Sequence, residues 1–233
     1  MAEKGIIYDN FLRLRERIAL AAERSGRRAE EILLVAVSKG VEPERIQQAI
    51  EAGVTDLGEN YLQEALLKQP KIPGQARWHF IGHLQRNKVK GVLQAFSLVQ
   101  SVESLALAEE MSRRAQALGK EAEILLQVNT SGQESKFGLR PEEAAALLGA
   151  ISSLPCLRVK GLMTIGRFEP EPEGARGEFR LLAGLFKRFA DLRLPNVEMR
   201  WLSMGMTHDF EVAIEEGANL VRIGRGIFGP RPG

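Results

Sequence analysis

The sequence predicts a closed (β/α)8 barrel, the TIM-barrel class of α/β folds, with one extra helix at its N-terminus. Short apolar runs alternate with longer amphipathic segments eight times, and no linker interrupts the alternation. Such alternation is typical of a parallel sheet, and eight units in 233 residues suit a closed barrel, although about 250 residues is more usual. A doubly wound open sheet is the rival, and periodicity alone does not separate the two folds.

The first helix is predicted over residues 9–24, where apolar side chains recur at helical spacing, and Gly26 ends it. The predicted strands are the eight apolar runs at 32–38, 54–60, 77–83, 97–102, 122–129, 157–165, 198–204 and 218–224. The helices between them are predicted at 43–53, 61–69, 85–95, 104–118, 141–152, 175–191 and 207–216. We therefore expect one domain over 1–233, with the N-terminal helix (within 1–28) packed on a barrel at 32–229.

Composition narrows the classes of function. The net charge is only +2, from 32 basic and 30 acidic residues, and the short basic stretch at 83–90 has no aromatic platform beside it, which disfavours nucleic acid. As a solvated helix face that stretch needs no partner, although it could contact an acidic one. The single cysteine, Cys156, excludes an intrachain disulfide. Since neither a signal peptide nor a membrane span is visible, the expected location is the cytoplasm.

Polar residues cluster where the predicted strands end. They are Ser38, Lys39, Glu59, Asn60, His83, Asn129, Thr130, Thr164, Ser203, Arg222 and the glycines beside them. The opposite strand ends are less distinctive. Because the carboxyl ends of parallel barrel strands meet at one face, this asymmetry predicts a ligand site there.

Lys39 directly follows the apolar strand LLVAV. A lysine held at a strand end and partly desolvated loses its proton more readily and becomes an amine nucleophile toward a carbonyl. The alternative interpretation is a surface lysine that merely follows a strand.

The segment VRIGRGIFG (221–229) places Gly224 and Gly226 around a turn whose backbone N–H groups can approach a phosphate. Ser203 and Thr207 could add hydroxyl donors, although a glycine-rich turn that closes the barrel is the simpler alternative. An amine that reacts with aldehydes, together with a phosphate-binding turn, suits pyridoxal 5′-phosphate (PLP), a cofactor that carries both an aldehyde and a phosphate. Arg222 would then lie near the pyridine nitrogen and keep it unprotonated, since arginine does not give up its own proton.

The three histidines do not predict a metal site, because none has a suitably spaced carboxylate partner. His79 alternates with Trp78 and Phe80 and is interpreted as structural. His83 could either stack on a ligand or act as a cap, and His208 is placed in the first turn of a helix.

The chain resembles the pyridoxal phosphate homeostasis protein family, through motifs that cover nearly all of it after the first helix. These motifs are AVSKG, GENYLQE, WHFIGHLQRNK, QVNTSGQESKFG, GLMTIG and LSMGMTHDFEVAIEEGANLVRIGRGIFG. The resemblance implies a barrel like the N-terminal domain of alanine racemase and the fold-type III decarboxylases, with PLP held as an internal aldimine on Lys39. It implies that Ser203 and the backbone around Gly224 and Arg225 hold the phosphate and that Arg222 faces the pyridine nitrogen. It further implies that four other residues line the site, namely Asn60, Met204, Gly205 and Thr207.

The family resemblance implies a carrier of vitamin B6 cofactor without a demonstrated reaction, and so no catalytic residues. The racemase relatives need a tyrosine from a second domain, and neither Tyr8 nor Tyr61 matches that role. We therefore expect a monomeric protein of PLP homeostasis that can hand PLP to PLP-dependent apoenzymes. The alternatives are a weak PLP-dependent racemase or lyase of amino acids, and a regulatory protein whose partner senses PLP occupancy.

Overall fold

The computed structural model describes residues 5–74, 76–133, 135–167 and 169–230. Within these ranges the strands are β1 (Leu33–Val37), β2 (Asp56–Glu59), β3 (Arg77–Phe80), β4 (Leu98–Val102), β5 (Ala122–Gln127), β6 (Leu157–Met163), β7 (Val197–Ser203) and β8 (Leu220–Ile223). They pair in parallel and in chain order, and β8 pairs with β1, with Val35 opposite Arg222. This pairing confirms the predicted closed barrel and rules out the open sheet.

The helices surround the strands as predicted. They are α1 (Ile6–Arg24), α2 (Pro43–Glu51), α3 (Leu62–Lys68), α4 (Val89–Ala95), α5 (Leu105–Ala117), α6 (Ala144–Ile151), α7 (Arg176–Asp191), α8 (Phe210–Glu215) and α9 (Arg225–Phe228). The helix expected at 207–216 begins only at Phe210, because the Asp209 carboxylate accepts a hydrogen bond from the Met206 N–H at 2.6 Å and holds a turn there. In the described part of the chain, no helix has the length and apolar character needed to cross a bilayer.

Two apolar layers hold the barrel together. The smaller lies inside it and consists of Val35, Leu98, Leu125, Met163 and Leu220. The larger lies between the strands and the helices, where fully buried side chains such as Phe179, Phe189 and Phe210 pack. Each such side chain contributes roughly 1.5–3 kcal/mol through burial.

Helix α1 packs against α8 and α9. Its buried stripe includes Phe11, Leu14 and Ile18, which follow the helical spacing noted in the sequence. Arg17 forms hydrogen bonds of 2.9 and 2.8 Å to the carboxylate of Glu211 on α8. The Asn10 side chain donates to the carbonyl of Ile227 at 3.0 Å, so α1 also supports the turn that follows β8.

Candidate functional site

A cavity of about 570 Å³ opens at the carboxyl ends of the strands. Six of the nine residues predicted to bind a cofactor line it: Lys39, Asn60, Thr207, Arg222, Gly224 and Arg225. They come from the ends of β1, β2, β7 and β8, which barrel closure brings to one face. The cavity therefore brings the predicted lysine, the predicted arginine and most of the predicted phosphate cradle together.

Lys39 continues the inward-facing phase of β1. Residues two apart on a strand face the same side, so Lys39 follows Val35, in the inner apolar layer, and Val37, on the cavity wall. Gly40 follows with a φ of 67°, a conformation that favours glycine and turns the chain away from the mouth. The side chain of Lys39 is half-buried. The lysine is thus part of the cavity wall and not a surface lysine that merely follows a strand.

The backbone on both sides of Lys39 is held by a buried group of side chains, which we call the Lys68 clamp (Ser38, Glu59, Glu64 and Lys68). The Lys68 ammonium donates to the Ser38 carbonyl at 2.7 Å, to Glu59 Oε1 at 2.9 Å and to Glu64 Oε1 at 2.6 Å. Glu64 Oε1 also accepts from the Gly40 N–H. Since the clamp binds the residues before and after Lys39, it sets where the lysine enters the cavity.

Glu59 is fully buried within this clamp. Burial raises the pKa of its carboxyl group, and the hydrogen bond and charge of Lys68 oppose that rise. Its Oε2 atom has no hydrogen-bond partner among the described residues. The carboxylate therefore depends on Lys68 to remain charged.

Arg222 reaches the cavity from β8 and is only 4% exposed. Its guanidinium donates to the hydroxyl of Ser203 and, at 2.7 Å, to the carbonyl of Thr164. Burial lowers the pKa of Arg222 to about 10, against a smaller opposing effect of the Asp209 charge, so the group is charged at neutral pH.

No carboxylate of the described chain forms an ion pair with this buried guanidinium. A buried cation that meets only neutral acceptors bears much of its desolvation cost uncompensated. A ligand with an acceptor atom in the cavity would supply the missing interaction. The residues present therefore fit a ligand whose acceptor meets Arg222, as the pyridine nitrogen of PLP would.

A second group of hydrogen-bond donors lines the cavity near α9. Thr207, Gly224 and Arg225 line the cavity there, and the Thr207 Oγ1 atom accepts from the Gly226 N–H at 3.3 Å. A hydroxyl, main-chain atoms beside a glycine and a guanidinium form a donor set suited to a phosphate. This chemistry fits the second half of the predicted ligand.

Ser203, Met204 and Gly205 do not line the cavity. The Ser203 hydroxyl donates to Gln100 Oε1 at 2.7 Å and accepts from Arg222, so its predicted contact with a phosphate stays a prediction. The Met204 side chain is fully buried in the outer apolar layer. Gly205 has a φ of 89°, and a Cβ atom there would lie 2.6 Å from the Ala213 Cβ, so glycine lets the chain pass close to α8.

Sequence reasoning missed several residues of the cavity wall, and six of them lie in two loops. They are Ile165, Arg167 and Glu169 after β6, and Met206, His208 and Asp209 after β7. Arg167 forms ion pairs of 2.8 Å with Glu169 and 2.7 Å with Glu178. These side chains lie within a few residues of predicted strand ends, but which of them face the mouth depends on the course of each loop.

The remaining histidines lie outside the cavity wall. His79, which its alternation with Trp78 and Phe80 led us to interpret as structural, is buried inside the barrel. His83 stacks on Phe137 with ring centroids 4.1 Å apart, and its Nδ1 atom lies 3.1 Å from Glu103 Oε1. The described residues contain no group of three or more side chains suited to a metal ion.

Asp56, which is fully buried at the start of β2, gives a prediction for acid stability. Burial alone would raise the pKa of its carboxyl group, but hydrogen bonds from His79, Arg77 and Thr55 outweigh burial and lower that pKa from 3.8 to about 2. Because the folded-state pKa lies below the unfolded one, the stabilisation is present above about pH 5 and is lost as the pH falls toward 2. At about 1.4 kcal/mol per pKa unit, it amounts to about 2.5 kcal/mol.

The measurement is denaturant unfolding of the wild type and of Asp56→Asn between pH 7 and pH 3. The free-energy difference between the two proteins should shrink as the pH falls, since the asparagine does not titrate. A difference that stays constant over this range would contradict the assignment.

The chain is similar in sequence and structure to several known proteins. A family model described as "Alanine racemase, N-terminal domain" matches residues 10–232. The pyridoxal phosphate homeostasis protein of Pseudomonas aeruginosa is 41% identical over 227 residues, which cover 97% of this chain and 96% of that protein. Its namesake from Aquifex aeolicus is 42% identical over 224 residues, covering 96% of this chain and 97% of that protein. The solved structure of PipY from Synechococcus elongatus with PLP bound has a TM-score of 0.80 and 32% identity, covering 92% of this chain and 99% of that one.

Proposed function

This chain belongs to the family of pyridoxal phosphate homeostasis proteins, which carry the alanine racemase N-terminal domain, and on that premise we propose that it binds PLP at the barrel mouth through Lys39. Its role is then to hold PLP within the cell's supply of that cofactor and to release it again. The PLP-bound relative with the same barrel supports this proposal.

The observation that carries the proposal is that one cavity contains both Lys39 and Arg222, whose guanidinium forms no ion pair with any residue that the structure describes. Thr207, Gly224 and Arg225 complete the wall with a donor set for a phosphate. These residues come from the two ends of the barrel sequence, and barrel closure brings their three functions into one cavity. PLP offers an aldehyde, a ring acceptor and a phosphate.

When bound, PLP supplies an aldehyde carbon that forms a C=N bond with a lysine amine, and the carbonyl oxygen leaves as water. Lys39 provides the Nζ atom for that bond, and the Lys68 clamp holds the backbone on both sides of it. Arg222, charged at neutral pH, donates to the ring acceptor. Thr207, Gly224 and Arg225 bind the phosphate.

We further propose that the protein acts as a carrier and not as an enzyme. Among the described residues, no tyrosine lines the cavity, and Tyr61 is exposed. Proton transfer on both faces of a bound amino acid needs two acid–base groups. His208 and Asp209 on the cavity wall favour the alternative, a weak racemase or lyase. Such an activity would exchange the α-proton of an amino acid slowly in deuterated water. The Lys39→Ala variant would abolish this exchange.

Release to PLP-dependent apoenzymes is the transfer that we propose, with a monomer as the carrying form. The half-buried Lys39 supports it, because an amine at an open cavity can be reached by water or by a competing amine. Such exchange needs no partner residue inside the barrel.

The proposal is tested by titrating the protein with PLP, reducing the complex with borohydride and mapping the modified lysine by mass spectrometry. Reduction converts the C=N bond into a stable secondary amine. We expect stoichiometric modification of Lys39, unchanged in Lys90→Ala, which alters an exposed lysine on α4. Modification spread over surface lysines, or none at all, would refute the proposed function.

A further inference from the structure

A chain of buried side chains crosses the barrel interior and ends at the cavity. In order it contains Asp56, His79, Gln100, Ser203 and Arg222, each less than 5% exposed. The distances are 2.9 Å from Asp56 Oδ1 to His79 Nε2, 3.0 Å from His79 Nδ1 to Gln100 Nε2 and 2.7 Å from Gln100 Oε1 to Ser203 Oγ. The Ser203 hydroxyl then accepts from Arg222. We call these five residues the interior chain.

The hydrogen bonds of the interior chain all run in one sense. The Asp56 carboxylate only accepts, so His79 Nε2 carries a hydrogen, and in the neutral ring Nδ1 accepts from the Gln100 amide nitrogen. The Gln100 oxygen accepts from the Ser203 hydroxyl, whose oxygen in turn accepts from the Arg222 guanidinium. Every donor therefore points from Arg222 toward Asp56.

This single sense makes the orientation of the Gln100 amide decisive. If the amide turned over, its oxygen would face the acceptor His79 Nδ1 and its nitrogen would face Ser203 Oγ. The Ser203 hydroxyl would then receive donors from two sides, and its own hydrogen would lose its acceptor in the chain. Buried networks with one satisfied arrangement hold their members rigidly.

We propose that Gln100, held by His79 and acting through Ser203, is a positioning residue that aims the Arg222 guanidinium at the ring acceptor of the cofactor. This inference rests on the proposed function and extends it, because Gln100 and His79 do not line the cavity. Gln100 therefore governs how strongly the cavity distinguishes a ring that has a nitrogen from one that lacks it.

The test compares two ligands, PLP and its 1-deaza analogue, in which a carbon replaces the ring nitrogen. We expect the wild type to prefer PLP by about tenfold, the order of one hydrogen bond from a charged donor. In Gln100→Leu the Ser203 hydroxyl loses its acceptor, and this preference should fall to nearly nothing, while binding of the deaza analogue is retained. A Gln100→Leu protein that weakens toward both ligands equally would show a merely structural role and would overturn the proposal.

Gln100→Glu is the matched variant. Its carboxylate still accepts from Ser203, so the preference for PLP should persist, while the contact between its second oxygen and His79 Nδ1 needs a hydrogen on one of the two atoms. Loss of the preference in Gln100→Glu, in a protein of unchanged melting temperature, would also overturn the proposal.

A measurement without cofactor separates this inference from the proposed function. In the free protein, the Arg222 side-chain N–H signals should exchange slowly with solvent in the wild type and in Gln100→Glu, and shift or broaden in Gln100→Leu. If wild-type protein bound no PLP but showed this pattern, the proposed function would fail while the positioning would stand. Identical Arg222 signals in all three proteins would refute the positioning.

Discussion

The Lys39→Ala protein is expected to bind PLP and pyridoxine 5′-phosphate with equal affinity. The two ligands share the ring nitrogen and the phosphate, but only PLP has an aldehyde that can bond to an amine. We expect the wild type to prefer PLP by about a hundredfold or more, equivalent to about 2.7 kcal/mol. Removing the Lys39 amine removes that difference in affinity. The remaining cavity residues, such as Arg222 and Thr207, contact only groups that the two ligands share.

Equilibrium dialysis of both ligands against wild type, Lys39→Ala and Lys90→Ala measures the preference directly. Lys90→Ala should behave as the wild type, because Lys90 is exposed on α4. A Lys39→Ala protein that still favours the aldehyde would assign the bond to another lysine. Lys136 would be the first to examine, since its ammonium donates to the Gly166 carbonyl at 2.7 Å and burial lowers its pKa.

The barrel was predictable because its signals are local. Each apolar strand lies between turn residues, and the predicted bounds contain β1 through β6 and β8, while β7 begins one residue earlier than expected. Closure itself was not predictable from periodicity, since it depends on β8 meeting β1, a pairing of residues far apart in the chain. The helix ends differ where side chains intervene, as Asp209 does before α8.

The site was predictable to the extent that it lies at strand ends. Lys39 and Arg222 were identified because each follows or ends an apolar run. The interior chain was missed, although Asp56 and Gln100 are polar residues within short buried strands. Such a residue signals a buried partner but not which one, because the partner of Gln100 on β7 is brought near only by the curvature of the closed sheet.

The role of Ser203 shows the same limit. The resemblance implied a phosphate contact, and the residue does lie at the end of β7. Its inward phase on the strand, however, directs the hydroxyl to Gln100 and Arg222. A single position can be read from a motif, whereas the direction of its hydrogen bonds depends on neighbours from two other strands.

Replacement of Lys68 by methionine should cost about 3–5 kcal/mol of unfolding free energy, the usual result of removing one partner of a buried ion pair. Lys68 is 7% exposed, and the variant leaves the fully buried Glu59 carboxylate without its ammonium partner. Methionine has a similar length and no charge, so little volume is lost. Denaturant unfolding at pH 7 gives the value.

The pH dependence of this loss identifies its cause. Without Lys68, burial raises the pKa of Glu59 further above its unfolded value, so the protonated carboxyl is the favoured folded form. A raised folded-state pKa means that stability is retained below the unfolded pKa and lost as the pH rises through the folded one. The difference between wild type and Lys68→Met should therefore be small near pH 4 and should widen toward pH 7.

The double variant Glu59→Gln with Lys68→Met is the control, because it removes the buried charge together with its partner. It should recover much of the loss and show little pH dependence, since replacing a whole buried pair is often nearly neutral. Its Lys39 should nevertheless react more slowly with PLP than the wild-type lysine, because the Ser38 carbonyl and Gly40 N–H lose the clamp that Lys68 organises. If the double variant is fully stable and its Lys39 reacts with PLP at the wild-type rate, the clamp does not position Lys39. If it is fully stable and Lys39 reacts more slowly, the clamp affects Lys39 independently of the stability of the fold.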